Sequence, residues 1–99
     1  MVLFLSLQEI FVMDAKDYPI PKEILPEHET LMKSIGEQLK KLRQDKNLKS
    51  GELASKIEIG RNTYTRIEQG KIYFKFSTLL SILDYHKVSI WDFFRDLEM

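Results

Sequence analysis

Residues 52–71 read ELASKIEIGRNTYTRIEQGK, and their reading decides the fold. Leu53, Ala54 and Ile57 fall at helical spacing on one face. Glu58-Ile59-Gly60 then offers one apolar residue to plug a corner and one glycine to relax it. A second helix starts near Arg61, sets Tyr64 and Ile67 three apart on its inner side, and stops at Gly70. Its other side carries Arg61, Asn62, Thr63, Thr65, Arg66 and Gln69, hydrogen-bonding side chains with almost no acid among them. Such a face fits the floor of the DNA major groove, where base edges present mixed acceptors and donors.

With these residues in view, the stretch resembles the helix-turn-helix of the Cro/repressor (xenobiotic-response-element type, lambda-repressor-like) DNA-binding domains. That family has a Leu-Ala pair in its second helix, an apolar corner residue, and an Ile-Glu-x-Gly ending to its third. The matching residues are Leu53-Ala54, Ile59 and Ile67-Glu68-Gln69-Gly70. The likeness continues without a gap through Thr78, Leu79, Leu80, Val88, Ser89 and Phe94, and so covers roughly residues 35–94. It implies an all-α, five-helix bundle over residues 31–96, preceded by an extension over residues 1–30.

The resemblance also implies roles. Arg61, Asn62 and Arg66 match base-reading positions; arginine suits guanine O6 and N7, asparagine adenine N6 and N7. Thr63 and Thr65 are shorter and suit a thymine methyl or a phosphate. Ser50, Gln69 and Lys71 match positions that hold the DNA backbone and set register without reading sequence. Arg43 and Glu68 match an ion pair between the first and third helices, a structural role. Some positions depart from the family pattern. Lys49 stands where a capping Ser or Thr is usual, so either the cap is weak or the second helix starts later with Ser50 as its cap. Glu58 takes a corner position that is commonly glycine and left-handed. Gly60 replaces a capping Ser, His86 a buried aliphatic, and Lys87 a terminal glycine.

Composition sets the outer limits. Ninety-nine residues, 43% hydrophobic, make one small domain and too apolar a chain for disorder throughout. There are no cysteines, so disulfides, thiolate metal sites and cysteine nucleophiles are excluded, a composition that suits the cytoplasm. No apolar run approaches the roughly 20 residues that span a bilayer. Net charge is zero but unevenly spread. Residues 1–30 hold two lysines against six acids, residues 31–75 eleven cations against five acids, and residues 76–99 two against four. The basic block coincides with the proposed DNA-reading unit, as binding by counterion release requires.

Residues 1–13, MVLFLSLQEIFVM, are nearly all apolar and lack the basic leader and cleavage site of a signal peptide. They read either as an arm that docks on a partner or second subunit, or as lying upstream of a start at Met13. Pro19, Pro21 and Pro26 mark an extended linker. From about Glu27 a helix is predicted with Leu31, Ile35, Leu39 and Leu42 inward, and Leu48 tucking back into the core. A fourth helix is predicted to bury Phe76, Leu79, Leu80 and Leu83, with His86 half-buried. A fifth, capped at Val88 and Ser89, offers Ile90, Trp91, Phe93 and Phe94. All four cannot face one core, so one or two belong at a subunit contact.

Enzyme readings find no support. His28 and His86 lie far apart with no metal-ligand spacing, and Ser81, Asp84 and His86 share one helix and cannot converge as a triad. No cofactor is expected. The function expected is a sequence-specific transcriptional regulator, a repressor-type protein binding double-stranded DNA as a homodimer. The alternative is an antitoxin-like or other protein-interaction subunit whose N-terminal segment docks on a protein partner.

Overall fold

The first helix, α1 (Glu29–Asp45), is built on apolar residues at intervals of three and four, and buries Met32, Ile35, Gly36 and Leu39. The computed structural model to which it belongs describes residues 23–97. The expectations for residues 1–13 and for Pro19 and Pro21 therefore lie outside the described residues. Four further helices follow: α2 (Ser50–Lys56), α3 (Arg61–Glu68), α4 (Phe76–His86) and α5 (Ile90–Arg95). Among the described residues there is no strand, and no helix is long and apolar enough to cross a membrane.

One close approach sets how α1 lies on α3. A Cβ added at Gly36 would collide with the carbonyl oxygen of Glu68 and stand 2.7 Å from that of Ile67. Just past α3, Gly70 (φ 70°) lies so near α1 that a Cβ there would meet the Lys33 Cα at 2.8 Å. Thus a glycine of α1 faces the backbone at the end of α3, and a glycine just past α3 faces the backbone of α1. This contact corrects the predicted inner face of α1. Turning Gly36 inward brings Met32 into the core and leaves Leu31 37% exposed.

The core is Met32, Ile35, Leu39, Leu53, Ala54, Tyr64, Ile67, Leu79, Ile82, Leu83 and Phe93, with Leu42, Leu48, Ile57 and Ile59 packed against its main cluster. On α4 the buried residues are Leu79, Ile82, Leu83 and His86, a run at steps of three and four. Phe76 and Leu80, expected inward, are exposed, Phe76 by 61%. Phe76 opens the helix beyond the reach of that stripe, and Leu80 lies one residue off it. On α5 only Phe93 is fully buried, while Trp91 is 81% exposed and Phe94 also faces solvent.

Helix ends are irregular. Lys49 occupies the N-cap of α2 and Ser50 is its first residue, so the cap is weak. Only the return bond forms, from the Lys49 amide to the Glu52 carboxylate at 2.9 Å. Ser89 caps α5 properly, its hydroxyl accepting from the Asp92 amide at 3.0 Å. Asn47, Glu58 and Lys87, just beyond α1, α2 and α4, all adopt positive φ, of 56°, 61° and 58°.

Upstream of α1 a 3-10 turn, Pro26–His28, is fastened to the α3–α4 loop. The Leu25 amide donates to the Tyr73 hydroxyl at 3.1 Å, which leaves the phenol to donate to His28 Nδ1 at 2.6 Å.

His86 is buried rather than half-buried, and neither ring nitrogen has a hydrogen-bond partner. Burial first, then the charge of Lys46, lowers its pKa. The unfolded chain, whose imidazole titrates near about 6.5, therefore binds the proton more readily. Stability from the neutral ring is complete above that pH and is lost as pH falls toward the lower folded value. The His86→Leu variant should show a smaller stability loss than the parent between about pH 7.5 and 5, read by urea denaturation at both values. Gly36→Ala should destabilise the fold by about 1–3 kcal/mol or more, because its methyl meets backbone rather than a flexible side chain. Unchanged stability on denaturant titration would mean that α1 and α3 can separate at no cost.

Candidate nucleic-acid interface

The helix-turn-helix corner follows from three local features. The Ile57 amide closes α2 onto Leu53 O at 3.1 Å, and left-handed Glu58 then turns the chain. Next, the Ile59 amide bonds Ala54 O at 3.0 Å and its side chain packs on the core. Gly60 enters α3 in extended conformation without a side-chain cap.

The inner side of α3 is fixed by Tyr64 and Ile67, both fully buried. Its outer side leaves Arg61, Asn62, Thr63, Arg66 and Gln69 exposed, with Thr65 half-buried and Lys71 exposed just beyond. No acid lies in the first turn of α3. Gly70 ends the helix; its positive φ lets the Lys71 amide return to Arg66 O at 3.0 Å.

Beneath this face Arg43 and Glu68 form a two-pronged pair. Arg43 Nε donates to Glu68 Oε2 at 2.7 Å and Nη2 donates to Oε1 at 3.0 Å. A third donor, Nη1, reaches Leu48 O at 2.7 Å. Both side chains are nearly buried. The hydrogen bond to Glu68 pushes the guanidinium pKa up, against the opposing effect of burial. Beside the pair, burial and then the Glu68 carboxylate drive the Tyr64 phenol well above its usual range, so it stays neutral. One side chain of α1 thereby ties α3 to the connection that leads into α2.

Over the pair opens a cleft of about 580 Å³, walled by Lys33, Glu37 and Lys40 of α1, by Ser50, by Thr65 of α3 and by Gln69 at its C-cap. A second cleft adjoins it at the start of α2, where Lys49, Ser50, Glu52 and Arg61 meet. The structure therefore groups Ser50, Thr65 and Gln69 along one side. The stem of Arg61 runs past Gly51, and Arg61 shares the second cleft with Ser50. Asn62, Thr63, Arg66 and Lys71 line neither cleft. Sequence reasoning missed Gly36 and the α1 wall of the cleft. A lone glycine inside a helical pattern was the available signal for the first.

Residues 34–90 match the helix-turn-helix domain family. Among solved structures, the restriction-modification controller protein C.Esp1396I is 26% identical, covering 66% of this chain and 84% of that one, with a TM-score of 0.60. Its tetramer in complex with its natural 35 base-pair operator aligns at 26% identity over 66% and 86% of the two chains, with a TM-score of 0.59. The controller protein C.AhdI from Aeromonas hydrophila, 19% identical over 65% and 97% with a TM-score of 0.61, shares the fold. No curated protein sequence matches the chain at a comparable level.

Glu68→Ala leaves a nearly buried guanidinium uncompensated and should cost about 3–5 kcal/mol. The double variant Arg43→Met with Glu68→Leu should lose much less. A double-mutant cycle by denaturant titration checks this, and additive losses would mean that the two side chains do not act as a unit.

Proposed function

From the premise that this chain belongs to the helix-turn-helix domain family, we propose that it is a sequence-specific DNA-binding transcriptional regulator acting in the cytoplasm. The observation that carries the reading is the exposed, acid-free outer face of α3, held rigid by Tyr64, Ile67 and the Arg43–Glu68 pair. On this reading α3 enters the major groove, where Arg66 and Asn62 read base edges and Arg61 reads at the groove's margin near Ser50. Thr63 and Thr65 contact a thymine methyl or a phosphate, while Ser50, Gln69 and Lys71 hold the backbone. Bound operator DNA in a 26% identical controller protein of the same fold supports it.

A helix of eight residues reads only a few base pairs, so a homodimer on two half-sites about one helical turn apart is proposed. Trp91, Phe94, Phe76 and Leu80 supply exposed apolar surface suited to that contact. The chain works by occupying its site rather than by chemistry.

Selection from a random duplex pool should recover an inverted repeat bound far more tightly than bulk DNA. Against that site, Arg66→Ala should lose discrimination worth about 1–3 kcal/mol, while Lys71→Ala should weaken all duplexes alike and lower the salt slope by about one. Equal loss of specific and random binding in the Arg66 variant would remove its base-reading role. Absence of any enriched sequence would overturn the function itself.

A further inference from the structure

The cleft over the Arg43–Glu68 pair holds three cations on its α1 side, and they are not equivalent. Arg43 is consumed by Glu68 and by Leu48 O. Lys33 donates to the Glu29 carboxylate at 3.0 Å. Lys40 is exposed, and no hydrogen bond or ion pair engages it among the described residues. It lies one helical turn before Arg43 and one after Gly36, on the stripe of α1 that faces α3. The opposite wall is formed by Ser50, Thr65 and Gln69, the residues proposed above to hold the DNA backbone.

We propose that Lys40 is a DNA phosphate contact, so that the backbone track crosses the cleft onto α1 rather than ending at α2 and α3. This rests on the DNA-binding reading of α3. A phosphate seated against Ser50 and Gln69 presents its outer oxygens to the α1 wall, and Lys40 is the cation there with its charge uncommitted. A lysine suits the role, being a flexible point charge that tracks a backbone without demanding one geometry. Glu37, on the same wall, carries opposite charge and confines the favourable position to the Lys40 end of the cleft. The contact adds affinity and register and reads no base.

The test uses the full chain and a mixed-sequence duplex titrated over several salt concentrations, with any duplex recovered by selection run in parallel. Lys40→Gln should lower the salt slope by about 0.9 unit, the value of one phosphate contact on B-DNA. It should do so equally on both duplexes. Lys87→Gln, an exposed lysine at the end of α4 outside either cleft, is the control and should leave the slope unchanged. A parental slope in Lys40→Gln, with Lys71→Ala still lowering it, would overturn the Lys40 contact and leave the DNA-binding reading standing. Absence of salt-dependent binding by the parent protein would overturn both.

Discussion

The close approach of two backbones, α1 against the end of α3, is the constraint on which the rest of the structure depends. Gly36 removes the side chain that would hold the helices apart, and Gly70 does the same from the other side. That contact rotates α1, selects Met32 over Leu31 for the core, and brings Arg43 within reach of Glu68. The ion pair then fixes α3 about its own axis. A buried pair of this kind contributes little net stability, since desolvation offsets its attraction. Its value is geometric: two nitrogens on two oxygens permit one orientation, and a third nitrogen on Leu48 O extends it to the neighbouring connection.

Electrostatics are partitioned to match. The chain is neutral overall, yet its cations gather in the segment that holds α1, α2 and α3. Within that segment charge is partitioned again, because some cations are spent on structure and others are left to solvent. Total charge says nothing about such a molecule's partners. The distribution of unspent cations says more, and here Arg61 and Arg66 stand exposed on α3 with Lys71 just beyond its end.

The helix-turn-helix was legible from residues 52–71 because its signals are local: helical spacing, a corner, a terminal glycine. The same holds for the number of helices and for the left-handed Glu58. What spacing left open were choices made by tertiary contact. Leu31 and Met32 are equally apolar neighbours, and only the position of α3 decides between them. Phe76 and Leu80 likewise satisfy a helical period with Leu83, yet Phe76 lies ahead of the buried stripe of α4 and Leu80 to its side. The outward residues of α3 were readable as a face. The α1 wall of the cleft was not, since it exists only once α1 crosses α3.

The three left-handed residues that end helices have a consequence for how much stability the fold has in reserve. Asn47, Glu58 and Lys87 each hold a conformation that glycine adopts freely and that other L-residues adopt at a penalty of about 1–2 kcal/mol, least for asparagine. The chain therefore sits below the ceiling its own backbone allows. That gap is a measure of design headroom: the corners can be strengthened one at a time, without touching the core or the outward face of α3.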